Sequence, residues 1–424
     1  MNRNALNSNT EIEEELTSDG LHKSGIEREI DDDSSEISNP FDPNDIAIVT
    51  KNPSIDSVIK RIEHKEIELN PDFQRKGGIW QIKEKSRLIE SLLLNIPLPV
   101  FYVAADKDDN WIVVDGLQRL TTLKEYIKDK SLILKNLEFL TQFEGCKFEA
   151  LPRNMQRRIL ETEPVFHIIQ PATPKTVTRT IFKRINTSGL PLSAQEIRHA
   201  LYNGKSTALL KELSECEEFK LATTNSISDD RMADRECVLR YLAFSHRSPE
   251  DYKNKDLDGF LSTTMETFNT MSDERINDYR QQFKKAMRNC HTVFGKNAFR
   301  KQADSNDRLF PISKALFEAW SVILSIYNDT EIEILKERYE NLQNRFIKLL
   351  NGQHLPSAVN NVRYGALDFA KAIQQTADVK SVHFRFAVIQ SLVDDVLQNK
   401  PESPHYAFLC KGLGVVSLPP TLLT

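Results

Sequence analysis

Apolar residues at 55, 58, 59 and 62 fall on one face of a helix, and the spacing predicts a helix over Ser54–Ile62. Ile67-Glu68-Leu69 reads as a short strand ending at Asn70-Pro71. Lys83–Asn95 carries Leu88, Ile89, Leu92, Leu93 and Ile96 on its apolar side, the pattern of an amphipathic helix stopped by Pro97. Val100–Val103 and Trp111–Val114 are apolar runs joined by the polar stretch Ala105–Asn110, which predicts a hairpin. Together these form a small α/β unit with Asp115 at the C-terminal end of a strand, where open α/β sheets place their ligands.

Thr176–Ile185 has helical spacing and stops at Asn186-Thr187-Ser188-Gly189. Ser193-Ala194-Gln195-Glu196 is a capping box that opens a helix through Tyr202. After residue 205 the 3.6-residue period dominates, over 236–244, 261–268, 279–294, 312–326, 331–350 and 381–397, with no repeat period. The expected fold is therefore α+β: an α/β unit over 46–204, a helical body over 205–400, and a tail over 401–424.

Residues 1–45 break the pattern. They hold thirteen Asp/Glu against three Lys/Arg, a net of −10, while the remainder carries 53 basic and 48 acidic residues, a net of +5. A disordered acidic tail is expected there, either simply solvating or competing with nucleic acid for a basic surface. No apolar run reaches the roughly 18 residues that span a bilayer, and the first residues lack the apolar core of a signal peptide. The five cysteines are scattered without a C-x-x-C pair, so neither a disulfide framework nor a zinc ribbon is indicated. A reducing cytoplasm is the expected setting.

Three stretches carry candidate chemistry. Asp115-Gly116-Leu117-Gln118-Arg119 places a glycine turn and an arginine where a strand becomes a helix. The N–H groups of such a helix start favour an anion, and a guanidinium adds a bidentate clamp. The same residues also suit a capping box, with Asp115 as N-cap and Gln118 reaching back. Asn70–Trp80 combines Gln74, Arg75 and two glycines, a loop able to approach a phosphate or an ordinary basic loop anchored by Phe73 and Trp80. Ile181–Gly189 puts Lys183 and Arg184 in a last helical turn, where cations suit the dipole anyway, and Asn186 just beyond.

In order, NPDFQR, SRLIESLLLNIPLPVFYV, IVVDGLQRLTTL and IFKRINTSGLPLSAQEIR resemble the N-terminal domain of the GmrSD-type restriction endonucleases, a family similar in fold to the ParB/sulfiredoxin superfamily. The resemblance covers roughly residues 50–250. It implies binding and hydrolysis of a nucleoside triphosphate (GTP, ATP or CTP) with Mg2+, in prokaryotic defence against foreign or modified DNA. By it, Asp115, Gln118 and Arg119 are the candidate catalytic residues; Gly116, Arg119, Gln74, Arg75, Arg184 and Asn186 are the candidate nucleotide-binding residues. The family's usual turn is Asp-Gly-Gln-Gln-Arg, and this chain has Leu117 at the third position. Restriction members often carry a C-terminal histidine–asparagine nuclease module. Here His354 with Asn360-Asn361 is the nearest fragment, and the histidines at 291, 354, 383 and 405 are dispersed. No nuclease in this chain is therefore expected, and a separate nuclease subunit and DNA become the expected partners. A non-catalytic nucleotide switch and a DNA-binding adaptor are the alternatives. Walker, dinucleotide, serine-hydrolase and zincin motifs are absent from the sequence. A sulfiredoxin-type reductase would need a cysteine beside the turn, and the nearest, Cys146, lies beyond the turn's own helix.

Overall fold

The computed structural model describes residues 12–17, 20–29, 42–69, 80–185, 192–303, 309–352 and 367–401. Two strands, β1 (Glu14–Leu16) and β2 (Lys23–Glu27), pair antiparallel as a hairpin near the N-terminus. The α/β unit then runs β3 (Ile48–Lys51), α1 (Ile55–Glu63), β4 (Ile67–Glu68), α2 (Ile82–Leu93), β5 (Phe101–Ala105), β6 (Trp111–Asp115), α3 (Leu117–Leu123), α4 (Arg153–Glu161), β7 (Phe166–Ile169), α5 (Lys175–Ile185) and α6 (Ala194–Leu201). A π-helical turn over Lys124–Lys128 continues α3.

The five strands lie in the order β3-β7-β5-β6-β4. β5 pairs antiparallel with β6 and parallel with β7; β4 pairs parallel with β6, and β3 antiparallel with β7. One face is covered by α1, α2, α3 and α4 around Ile55, Leu92, Trp111, Leu120, Ile159 and Phe166. The opposite face buries Ala104, Val114 and Ile169 against Phe182 of α5 and Ile197 of α6. The unit is thus a helix–sheet–helix sandwich, which explains why Val113 and Val114 are both apolar: each serves a different face.

The helical body follows as α7 (Lys205–Glu215), α8 (Glu217–Ala222), α9 (Ala233–His246), α10 (Leu257–Thr270), α11 (Asp273–Phe294), α12 (Lys314–Ser325), α13 (Asp329–Glu337), α14 (Tyr339–Leu350), α15 (Phe369–Ala372) and α16 (Val379–Leu397). An α/β unit followed by a mostly helical body is the expected order. The body's core gathers Val238, Leu242, Phe283, Met287, Leu316, Trp320, Ile389 and Leu392, and includes Ile26 of β2.

Several expectations need correction. The acidic segment, read as disordered, carries the β1–β2 hairpin, because Ile26 is fully buried in the body's core and β2 bonds to Ile312 across Glu27 N–H and Gly25 C=O. Ile96 was placed on the buried side of α2 but lies beyond that helix and is 50% exposed. The single helix expected over 331–350 is two, broken at Arg338, whose guanidinium donates to the carbonyls of Val396 and Leu397 at the end of α16. The tail after residue 401 lies outside the described residues.

Candidate functional site

Asp115 closes β6, and its position depends on an irregularity in the sheet. Tyr102 faces Asp115 while Val103 faces Val113, so β6 carries one extra residue here, a bulge of the kind that re-aims the end of a strand. Gly116 then turns the chain with φ +102° and is the N-cap of α3. A Cβ at this position would lie 2.4 Å from the Phe101 ring. The glycine therefore has two reasons within the fold, a left-handed backbone and a ring packed beneath it.

The N-cap reading of Asp115 is corrected by this geometry: Gly116 holds that position and no side chain caps the helix. Asp115 instead accepts from Arg119 Nη2 at 2.9 Å, one turn along the helix. Arg119 is 7% exposed. Its guanidinium lies 4.3 Å from the Phe101 ring centre and donates to the carbonyls of Pro99 and Val100, the latter at 3.2 Å. Burial pulls its pKa below the ordinary arginine value and Asp115 pulls it back up; a guanidinium stays charged throughout the working range. Arg119 thus ties the start of α3 to the entry of β5 and orients the Asp115 carboxylate.

Gln118 is half-buried, and its Oε1 accepts from the Trp80 N–H at 3.3 Å. The first turn-to-helix bond runs from Leu120 N–H to Gly116 C=O. The N–H groups of Leu117, Gln118 and Arg119 precede it, the donors that a helix start leaves without intrahelical partners. The turn therefore presents a partly exposed carboxylate, an amide and a set of backbone donors at one end of the sheet.

Asp115, Gly116, Gln118 and Arg119 are brought together. Gln74, Arg75 and Asn186 lie outside the described residues. Arg184 is exposed in the last turn of α5. Among the described residues no hydrogen bond or ion pair joins it to the turn, while its neighbour Lys183 pairs with Asp258 of α10. Three supporting groups were not read from sequence. Phe101 floors the turn, and Lys85 of α2 grips Glu125 in the π turn at 2.6 and 2.9 Å. Buried Glu90 accepts N–H bonds from Glu138, Phe139 and Leu140. Burial pushes the Glu90 carboxyl up, but these donors and Arg87 hold it below the ordinary value. Its only sequence signal was a charged residue amid the apolar side of α2.

No set of three or more His, Cys, Asp or Glu residues able to hold a metal ion occurs among the described residues. Among the described residues Asp115 is the carboxylate of the turn that would hold a divalent ion, directly or through water, with phosphate oxygens supplying the rest. The chemistry fits that pairing: a carboxylate beside a helix start repels a bare phosphate, and a cation between them removes the repulsion.

Residues 55–203 match the family model of the GmrSD restriction endonuclease, N-terminal domain. The GmrSD match begins with α1 and ends just after α6, so it takes in both helical layers and every strand of the sheet except β3. The Asp115 turn lies inside it, and the helical body after residue 203 lies outside it. No curated protein matches the chain. No helix among the described residues is long and apolar enough to cross a membrane.

Proposed function

We propose that this chain binds a nucleoside triphosphate with Mg2+ and hydrolyses it in restriction-type defence against phage, with DNA and a separate nuclease subunit as its partners. The observation that carries the reading is the bulged strand-to-helix turn inside the GmrSD-type segment. There, backbone donors and Asp115 sit on a scaffold locked by Arg119 and Phe101. Asp115 holds the magnesium side of the phosphates, and the backbone N–H groups of 117–119 take phosphate oxygens. Gln118, fixed through Trp80, turns its amide NH2 toward a water or a phosphate oxygen. Arg119 acts through Asp115 as a positioning residue. Gln74, Arg75, Arg184 and Asn186 remain the further residues proposed to contact the nucleotide.

The test is a thermal-shift comparison of GTP, ATP and CTP with Mg2+ on the wild type, Asp115→Asn and Gln118→Ala. A ligand at about 100 times its Kd stabilises the folded state by about 2.7 kcal/mol. We expect one nucleotide to raise the wild-type melting temperature and Asp115→Asn to abolish the rise. No shift with any of the three nucleotides would remove the proposal.

A second reading, a nucleotide switch without turnover, draws on Leu117. This half-buried side chain stands where the family usually has a glutamine, so the first helical turn lacks one amide. Phosphate release with and without DNA separates the two: saturable binding without release supports the switch.

A further inference from the structure

A cleft of about 1080 Å³ lies away from the Asp115 turn, between the N-terminal hairpin, α6, α9, α10 and the start of α12. It includes none of residues 115–119. Three recessed cations line its floor among carboxylates: Arg198 is 1% exposed, Arg240 2% and Lys314 5%. One body carboxylate, Glu236, faces all three, at 3.6 Å from Arg198, 2.8 Å from Arg240 and 3.4 Å from Lys314. Asp258 gives Arg198 a second partner, and Glu318 gives one to Arg240. Lys314 draws its closer partner from the hairpin, Glu15 of β1 at 2.7 Å. Glu29, just after β2, completes the set on Arg240 at 2.6 Å.

The pairing of these groups is incomplete. Glu29 Oε1 is buried without a hydrogen bond, and so is Arg198 Nη2. Burial pushes the Glu15 carboxyl up despite Lys314 beside it. A multivalent anion in the place of Glu15 brings further acceptor oxygens to Lys314 and to the open Arg198 Nη2.

The two strands of the hairpin are also held differently. β2 is built into the body: Gly25 and Glu27 exchange backbone bonds with Ile312, Ser228 N–H donates to Ser24 C=O, and Glu27 pairs with buried Lys301. β1 pairs along its length with β2, and beside it Arg28 N–H donates to Glu13 C=O and Thr17 N–H to His22 C=O. β1 is therefore the part that can lift while β2 stays.

We propose that this cleft is a binding site for a small phosphate-bearing anion, held by Lys314 and Arg198, and that Glu15 of β1 is its built-in stand-in, displaced when the ligand enters. The recess favours a small polyphosphate over a duplex backbone, which cannot reach side chains this deeply buried. The volume also accommodates a nucleotide-sized molecule.

Calorimetry with inorganic tripolyphosphate on the full chain tests the site. Glu15→Gln removes the competing charge at nearly constant shape and is expected to tighten binding at least tenfold. Glu161→Gln makes the same change in net charge away from the cleft, at an exposed carboxylate paired with Arg157. It is expected to change affinity less than twofold. Equal effects of the two substitutions, or no binding in any variant, would overturn the proposal. Hydrogen exchange supplies the displacement readout: saturating tripolyphosphate should speed exchange at the Thr17 and Arg28 amides at least tenfold, and unchanged rates would exclude displacement of β1. GTP in place of tripolyphosphate separates the two sources of phosphate and the two sites. A GTP signal that survives Lys314→Met and vanishes in Asp115→Asn belongs to the turn. One lost in Lys314→Met and kept in Asp115→Asn belongs to the cleft.

Discussion

Gly116 and Arg119 share one ring. Phe101 lies beneath both, so the left-handed turn and the buried guanidinium depend on each other. Gly116→Ala forces a Cβ into that ring and a non-glycine residue into φ > 0, which costs about 1–3 kcal/mol from the backbone alone. Chemical denaturation should show the midpoint falling accordingly, and an unchanged midpoint would mean that neither the left-handed backbone nor the ring constrains this position. Arg119→Lys keeps a charge but loses the planar fork that reaches two carbonyls and a carboxylate. We expect a loss of about 1–3 kcal/mol, since buried acceptors are left unmet. Neither consequence was legible from the five letters of the turn. Phe101 is fourteen positions away from Asp115 in the chain, and the arginine's partners are carbonyls, which carry no sequence signature. Glu90 makes the same point with a titration. Its carboxyl is held below 4.5, so the stability it adds is fully present above that ordinary value and fades as pH falls through the lower folded value. Glu90→Gln should cost about 2 kcal/mol at pH 7. The difference from wild type in denaturation midpoint should shrink in acid, and a pH-independent difference would deny the carboxylate its role.

Elements with a long apolar period were legible in the sequence, as was the short strand β4; β3 and β7 were not. α1 buries Ile55, Val58, Ile59 and Ile62, the four positions that the spacing selected, and Ser54 caps it. The capping box at Ser193 and Glu196 is present in both directions. Ser193→Ala should lower stability by about 1 kcal/mol. The cost is expected at the upper end of that class, because the hydroxyl also donates to Arg231 C=O at 3.0 Å. By contrast β3 is an edge strand with all four residues exposed, so it shows no alternation to read. β7 is four residues long, and its partners β3 and β5 lie far away in the chain. The break between α13 and α14 is set by Arg338 bonding to α16, a tertiary cause inside an uninterrupted local pattern.

Across the whole molecule, charge is sorted by sequence and then recombined by folding. The first 45 residues carry a net of −10, and Glu15, Glu27 and Glu29 from this segment reach Lys314, Lys301 and Arg240 of the body. Composition showed the asymmetry, but the meeting points depend on three body cations spread over two segments of the chain. Asp258 joins the α/β unit to the body in the same way, through Arg198 and Lys183. Burial opposes its ionisation, yet these cations hold its carboxyl at about 2. Its contribution is therefore complete above the ordinary 3.8 and disappears only as pH falls toward about 2. Asp258→Asn should destabilise by about 2–3 kcal/mol at neutral pH. That gap in the urea midpoint should persist at pH 5, and its loss by pH 5 would contradict the pairing.

The contact between Glu15 and Lys314 spans 299 positions of the chain, and the neighbouring bridge joins Ile26 to Ile312. During synthesis the first strands emerge long before the segment that receives them, so the α/β unit can close while its upstream hairpin is still unattached. Seating β2 completes a long loop, and loops of that size make the slowest contacts. The order of manufacture therefore leaves Lys301 waiting for Glu27 and Lys314 for its closer carboxylate, groups made first and seated last.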